Sequence, residues 1–186
     1  MSIIIDSIHM ACTAQCTVET PLGPVLLART AKGLAGAWFK GQKHHPGALA
    51  APVQPGDPLL KAATGQLCRY FAGETVVFDL PLDLLGTVFQ KLVWQALLAI
   101  PLGSTSSYGD IARGVTAASA VRAVGGAVGR NPVSVIVPCH RVIGANGSLT
   151  GYAGGIDRKL ALLALEGAAS SGRARDGQPG RSSARA

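Results

Sequence analysis

Residues 133–144 read VSVIVPCHRVIG, an almost wholly apolar run followed by a cysteine, a histidine and an arginine. The apolar run predicts a buried β-strand. Pro138 restricts the backbone immediately before the thiol of Cys139. His140 places a base beside that thiol and Arg141 adds positive potential, and both favour the thiolate, the nucleophilic form of cysteine. The stretch therefore predicts a reactive cysteine at the end of a strand; the alternative is that this cysteine is only a small core residue.

A histidine that acts as a base needs a carboxylate to orient its ring. Glu166 is the best candidate, at the end of a helix predicted over residues 157–166 that must fold back on this core. Asp157 and Asp110 are weaker candidates. Asn131, eight residues before the cysteine, can hold the turn by hydrogen bonds.

The chain between residue 87 and this stretch has the pattern of three short helices. The first has one apolar face and ends before Pro101, and Ser107 can cap the second, which reaches Gly114. The third is predicted over residues 117–128. Short helices joined by a tight turn are typical of a helix-turn-helix.

The third helix carries almost no large side chains. Glycine destabilises a helix interior, so this run of small residues needs a cause. One cause is close packing against neighbouring helices. The other is close approach of a bulky partner such as a DNA backbone, with Arg122 as the single long side chain that reaches it. The helix alone favours packing, whereas helix and charge together favour DNA.

The formal net charge of the 186-residue chain is +7, and it is unevenly distributed. Residues 1–86 are neutral overall, residues 87–167 carry +4 and residues 168–186 carry +3. An excess confined to the C-terminal part indicates a polyanionic partner, most simply nucleic acid. A basic surface that serves solubility is the alternative.

The first half has the pattern of a small α+β domain without obvious chemistry. Residues 16–40 predict an antiparallel meander with strands at 18–20, 25–28 and 34–39. Asp57 and Pro58 then cap and open a helix that ends at Gly73. Residues 76–80 predict a further strand.

The four cysteines are Cys12, Cys16, Cys68 and Cys139. Cys68 falls in the apolar pattern of the predicted helix, so we expect it in the core. Cys12 and Cys16, taken with His9, His44 and His45, match no standard zinc spacing. We therefore predict no metal, although the sequence leaves one open at the first two cysteines.

Composition excludes several classes of protein. Hydrophobic residues make up 48% of the chain and charged residues 15%, so the chain as a whole is not disordered. No apolar run reaches the ~18 residues that a transmembrane helix needs. The N-terminal apolar stretch has no basic region before it, which argues against a secretory signal. We expect a cytoplasmic protein that does not enter membranes.

Many short elements of the second half occur in an order typical of one family. They are Gly86-Thr87-x-Phe89-Gln90, Val93-Trp94-x-Ala96-Leu97, Ile100-Pro101-x-Gly103, Ser107-Tyr108-Gly109, Arg122-Ala123-Val124-Gly125, Asn131-Pro132, Pro138-Cys139-His140-Arg141-Val142-Ile143-Gly144, Gly147-x-Leu149-Thr150-Gly151-Tyr152-x-Gly154-Gly155, Lys159, Leu162-Leu163 and Glu166-Gly167. This series resembles the alkylguanine-DNA alkyltransferases, or methylated-DNA–protein-cysteine methyltransferases. The match is dense over residues 87–167 and loose over 16–86.

The resemblance implies DNA repair by direct transfer of an alkyl group. Such a protein binds duplex DNA through the minor groove and flips an O6-alkylated guanine into a pocket, because a sulfur cannot reach the lesion inside the stack. Cys139 then takes the alkyl group, and the resulting thioether is not regenerated, so each molecule acts once. The resemblance leaves O4-alkylthymine open as a second substrate. It implies no cofactor, a duplex DNA partner that carries the lesion, and a monomer.

The resemblance also implies roles for individual residues. Those predicted to act in the transfer are Cys139, His140, Glu166, Asn131 and Tyr108. Those predicted to contact DNA are Arg122, Tyr108, Ala120, Ala123, Gly125 and Arg130. Those predicted to line the base pocket are Val142, Tyr152, Ala153 and Val128. In this scheme His140, oriented by Glu166, takes the thiol proton through a water, and Arg122 fills the gap that the flipped base leaves.

We therefore predict an α+β protein of two domains. An antiparallel sheet with a helix spans residues 1–86, a mainly helical catalytic and DNA-binding domain spans 87–167, and a disordered basic tail spans 168–186. The chain departs from the family at Val88, where proline is usual, and at residues 116–118, where the turn usually carries Gly-x-Pro. These departures concern the start of a helix and DNA affinity rather than the chemistry.

Two other classes of function remain open. A lesion-binding protein without transfer has a similar fold but lacks the reactive cysteine. A Cys-His hydrolase or transpeptidase turns over repeatedly and needs no basic surface. Stoichiometric alkylation of Cys139 separates both classes from an alkyltransferase.

Overall fold

The computed structural model of the chain describes residues 3–168, so residues 169–186 of the predicted disordered tail lie outside it. The N-terminal half begins with helix α1 (Ile3–Ala11) and continues into strands β1 (Ala14–Val18), β2 (Val25–Arg29) and β3 (Leu34–Phe39). The strands pair antiparallel in the order β1-β2-β3. The predicted meander is thereby confirmed.

The N-terminal helix and the end of β1 differ from the prediction. Strand β1 ends at Val18 and does not continue to residue 20, because the hydroxyl of Thr20 donates to the carbonyl of Gly23 and accepts from the amide of Leu22 in a turn. Helix α1 was not predicted. Its Ile8 is 2% exposed and packs with Trp38 of β3.

Helix α2 (Pro58–Phe71) covers the sheet. The side chain of Asp57 accepts hydrogen bonds from the amides of residues 59 and 60, and Pro58 needs no donor at this position, so the helix starts as predicted. Its buried side chains are Leu60, Ala63, Leu67 and Tyr70. The prediction that Cys68 lies in the core is wrong, because it lies next to this stripe and its thiol is exposed.

The prediction of a strand over residues 76–80 is also wrong. The backbone of Asp79 pairs with the side chain of Gln66: its amide donates to Oε1 at 3.1 Å and its carbonyl accepts from Nε2 at 3.2 Å. Val76 is buried but Val77 is 86% exposed. A glutamine of α2 therefore satisfies backbone groups that a neighbouring strand would otherwise satisfy.

The C-terminal half is mainly helical, as predicted. It contains α3 (Val88–Leu98), β4 (Ser106–Ser107), α4 (Tyr108–Val115), α5 (Val121–Val128), β5 (Val142–Ile143) and α6 (Ile156–Leu165). Thr87 and Ser107 each begin a helix with a complete capping box, closed by Gln90 and Asp110 respectively. The capping box at Thr87 holds the start of α3 although Val88 stands where the family usually has proline.

The third predicted helix is split into a 3₁₀ turn (Ala118–Ala120) and α5. One face of α5 packs closely against its neighbours, and the other face is exposed. Val124, Ala127 and Val128 are buried, and the carbonyl of Ala127 accepts a hydrogen bond of 2.9 Å from the indole of Trp94 on α3. The other face of α5 is exposed, with Arg122 and Ala123 at its start.

The apolar run at residues 133–137 is not a strand. Only Val133 forms a bridge, to Ala37 of β3, and the amides of Ile136 and Val137 donate back to Ser134 and Val133 within a tight turn. Val135 has a φ of 72°. The run is apolar because it is buried between the two halves, and a burial pattern without alternation does not distinguish a strand from a buried turn.

Within residues 3–168, no helix combines the length and the apolar character that a membrane span requires.

Candidate active site

Cys139 begins a short 3₁₀ turn, Cys139–Arg141, and is 3% exposed. Asn131 holds this turn from beneath. Its Nδ2 donates to the Sγ of Cys139 at 3.0 Å and to the carbonyl of Val137 at 2.8 Å, and its Oδ1 accepts from the amide of Val133. One amide side chain therefore sets both the course of the backbone and the position of the thiol.

Burial raises the pKa of the Cys139 thiol to about 11, although the hydrogen bond from Asn131 and the charge of Lys159 act in the opposite direction. At neutral pH the resting group is therefore a thiol. A nucleophilic reaction at this sulfur requires a base that removes the proton.

The candidate for such a base is His140, which is fully buried. Its Nε2 lies 2.8 Å from Oε1 of Glu166. Since an ionised carboxylate only accepts, Nε2 carries the proton and Nδ1 presents its lone pair. Nδ1 has no hydrogen-bond partner among the residues that the structure describes. Burial lowers the pKa of His140, so the ring is neutral and able to accept a proton.

Glu166 follows α6 and collects several hydrogen bonds on a side chain without solvent exposure. Its Oε1 accepts from Tyr70 at 2.7 Å as well as from His140, and Arg141 pairs with both oxygens, at 2.8 and 2.9 Å. Burial raises the pKa of this carboxyl, but the hydrogen bonds from His140 and Arg141 outweigh it and bring the pKa to about 2. The carboxylate is thus a permanent negative charge behind the histidine.

Two participants in this network were not predicted. Tyr70 comes from α2 of the N-terminal half, where it belongs to the apolar stripe. A tyrosine in such a stripe has a buried hydroxyl that needs a hydrogen-bond partner, and this was the sequence signal that could have found it. Arg141 was predicted only to add positive potential. In the structure it pairs with Glu166 and donates to the carbonyl of Ile100 at 2.6 Å.

Lys159 of α6 is 0% exposed and holds the other side of the site. Its Nζ donates to the carbonyls of Val142 and Thr150, at 2.5 and 2.9 Å. Burial lowers the pKa of this ammonium to about 8, and the nearby Cys139 counteracts that shift. Lys159 therefore ties α6 to the segment after the reactive turn.

A cavity of about 360 Å³ opens between the glycines of α5 and the segment at residues 151–153. Tyr108, Tyr152, Ala153 and Arg130 are among the residues that line it. The hydroxyl of Tyr108 lies 3.2 and 3.1 Å from the carbonyls of Thr150 and Gly151, to which it donates. Burial raises the pKa of both tyrosines, and Cys139 acts in the same direction. The volume lies within the range of small-molecule sites.

The other predicted site residues fall into two groups. Arg122 and Ala123 are exposed on α5, Ala120 ends the preceding 3₁₀ turn, and Gly125 lines the cavity with Arg130. Val142 and Val128 are buried, at 0% and 3% exposure, and do not line this cavity.

The structure brings one of the three candidate carboxylates to His140. Asp110 caps α4 and pairs with Arg113 at the surface, and Asp157 lies exposed in the first turn of α6. Glu166 alone among these three contacts the histidine. Within the described part of the chain, no three His, Cys, Asp or Glu side chains are grouped as a metal site.

The buried network predicts a loss of stability in acid. The pKa of Glu166 is depressed from 4.5 to about 2, so its contribution to the free energy of unfolding, about 3 kcal/mol, is present above pH 4.5 and is lost as the pH falls towards 2. The lowered pKa of His140 acts in the same direction below its ordinary value of 6.5. Thermal unfolding followed by circular dichroism will show a melting temperature that falls as the pH is lowered through this range. A melting temperature independent of pH contradicts this assignment.

Two family models match the chain. Residues 15–84 match the model described as 6-O-methylguanine DNA methyltransferase, ribonuclease-like domain. Residues 88–168 match the model described as 6-O-methylguanine DNA methyltransferase, DNA binding domain. Together they span most of the chain.

Curated relatives and solved structures agree with these models. A methylated-DNA–protein-cysteine methyltransferase of Mycobacterium tuberculosis is 51% identical over 150 residues, 81% of this chain and 90% of the relative. The one from Methanosarcina acetivorans is 50% identical over 152 residues, 80% of this chain and 95% of the relative. The crystal structure of the Mycobacterium tuberculosis OGT in complex with DNA is 49% identical, covers 83% of this chain and 93% of that chain, and has a TM-score of 0.76.

Proposed function

Given that this chain belongs to the methylated-DNA–protein-cysteine methyltransferase family, we propose that it repairs DNA by a single, irreversible transfer of an alkyl group from O6-alkylguanine to Cys139. The observation that carries this proposal is the buried series of Cys139, His140 and Glu166, in which the carboxylate accepts a hydrogen bond from the histidine that follows the cysteine. The thiol needs a base, the base has an orienting carboxylate, and we infer that the cavity lined by Tyr108 and Tyr152 receives the alkylated base.

The transfer is a single displacement. His140 takes the thiol proton at Nδ1, and a water between the two groups is the simplest relay because this buried atom has no partner among the described residues. The electron pair of the thiolate forms the new S–C bond, while the C–O6 bond breaks and its electrons remain on the guanine. A proton then reaches the guanine, which leaves as the normal base. The product is a thioether, which water does not cleave, so each protein molecule acts once.

The guanine is a better leaving group when its developing charge is met by a donor. Tyr108 is our candidate for this role, since its side chain lines the cavity. Its hydroxyl has one proton, which it now gives to the carbonyls of residues 150 and 151. We infer that the bound base takes over this hydrogen bond.

Access to the lesion requires the base to leave the duplex, because the O6 alkyl carbon is out of reach of Sγ inside the stack. Helices α4 and α5 act as the helix-turn-helix that meets the minor groove. The exposed Arg122 at the start of α5 enters the space of the flipped base, and the small residues of the exposed face allow the DNA backbone to approach.

Mass spectrometry of the whole protein, incubated with excess duplex that contains O6-methylguanine, tests this function. We expect the mass to rise by one methyl group per protein and then to stay constant, with the modification on Cys139. Binding without a mass gain would identify a lesion-binding protein, and repeated turnover would identify a hydrolytic or transpeptidase-like enzyme. The same assay with O4-methylthymine measures whether that base is a second substrate.

A further inference from the structure

One side of the cavity comes from the N-terminal half, for which the sequence indicated no chemistry. Lys43 and His44 follow β3 and line the cavity opposite Arg130 and the glycines of α5. The amide of Lys43 donates to the carbonyl of Ala153, another lining residue, at 2.8 Å. The turn is therefore attached directly to the wall of the cavity.

Gln42 fixes the same turn from below. It is 6% exposed, and its Oε1 accepts from the amide of Phe39 at 2.9 Å and from the hydroxyl of Ser134 at 3.2 Å. Phe39 ends β3, and Ser134 belongs to the turn that precedes Cys139. The position of Lys43 and His44 is thus set by both halves of the molecule.

The backbone at His44 is strained. Its φ of 63° lies in the left-handed region, which costs a non-glycine residue about 1 kcal/mol or more. A glycine would adopt this conformation without that cost. This disfavoured backbone conformation places the imidazole of His44 at the edge of the cavity.

The charges at this edge are of one sign. Lys43 and Arg130 are exposed, His44 is half-buried, and no aspartate or glutamate is among the residues that line the cavity in the described part of the chain. Burial and the charges of Arg130 and Lys43 lower the pKa of His44, so its ring is neutral and the positive charge at this edge comes from Lys43 and Arg130. This edge fits an anion.

We propose that Lys43 and His44 bind the DNA phosphate adjacent to the nucleotide that enters the cavity. A base inside the cavity carries its phosphodiester to the opening, because a charged group remains outside a buried site. The inference rests on the proposed function and adds a residue role to it. The N-terminal half holds the flipped nucleotide by the phosphate of the DNA backbone. Arg130, two residues after the end of α5, meets the same strand.

Replacing Lys43 with Ala tests this inference. Duplex binding is expected to weaken about fivefold at physiological salt, and the slope of log K against log[salt] is expected to decrease by about 1. Lys61→Ala is the matched control, since Lys61 is exposed on α2 in the same half. Alkylation by free O6-benzylguanine, which carries no phosphate, is expected to fall much less than transfer from DNA.

His44→Gly separates binding from folding. Removal of the left-handed strain is expected to raise the melting temperature, while loss of the imidazole weakens duplex binding. A merely structural residue would not change the two quantities in opposite directions.

The outcomes distinguish this inference from the function on which it rests. If the unaltered protein transfers the methyl group but Lys43→Ala binds DNA with the affinity and salt slope of Lys61→Ala, this inference is wrong and the function stands. If the unaltered protein neither binds nor accepts the methyl group, the proposed function itself fails.

Discussion

Cys139→Ala is expected to abolish alkyl transfer completely and to leave duplex binding intact. The substitution removes the nucleophilic sulfur and its hydrogen bond with Asn131, but Asn131 keeps its bonds to the backbone of Val137 and Val133. The turn and the cavity beside it therefore remain in place. The measurements are the mass of the protein after incubation with O6-methylguanine duplex and the fluorescence anisotropy of a labelled duplex.

Arg122→Ala is the complementary control for that variant. Arg122 is exposed on α5, away from the buried network of His140 and Glu166. This variant is expected to lose duplex binding while Cys139 still reacts with free O6-benzylguanine. If Cys139→Ala failed to bind DNA although its circular dichroism was native, the separation of base flipping from chemistry would be wrong.

Glu166→Gln is expected to slow alkyl transfer by about a hundredfold, because the amide has no negative charge to stabilise protonated His140 and has one acceptor oxygen instead of two. It is also expected to lower the free energy of unfolding by about 3–5 kcal/mol, since Arg141 stays buried without its carboxylate. Single-turnover kinetics and urea unfolding measure the two effects.

Glu74→Gln is the matched control for the charge change. Glu74 pairs with Arg69 at 2.7 Å, but both side chains are exposed, so the expected loss of stability is below about 1 kcal/mol. If Glu166→Gln transferred alkyl groups at the native rate, the role of His140 as the base would be refuted.

A change in the pH profile distinguishes a role in proton transfer from a role in folding alone. Glu166 raises the pKa of His140, so its loss is expected to move the acid limb of the pH–rate profile to lower pH. Tyr70→Phe provides a variant that keeps the charge of the carboxylate. It removes one hydrogen bond to Oε1, so we expect a smaller loss of both rate and stability than in Glu166→Gln.

The parts of the fold that could be predicted are those that depend on neighbouring residues. The caps at Asp57, Thr87 and Ser107 act over three residues, so their helices began where the sequence indicated. The two strands predicted at residues 76–80 and 133–137 were wrong for a nonlocal reason. At residues 76–80, the backbone pairs with the side chain of Gln66 on α2. At residues 133–137, the apolar residues are buried in a turn between the two halves.

The sequence by itself determined which residues we propose as the nucleophile and its base, because Cys139 and His140 are adjacent and their chemistry follows from their types. Only the tertiary structure decided what surrounds them. Tyr70 and Glu166 are 96 residues apart in the chain, yet their side chains meet at 2.7 Å. Lys43 reaches the cavity from a half that the sequence indicated only as a scaffold. Contacts of this kind leave no local pattern, since they arise when the sheet and α2 pack against the segment that carries Cys139 and against α6.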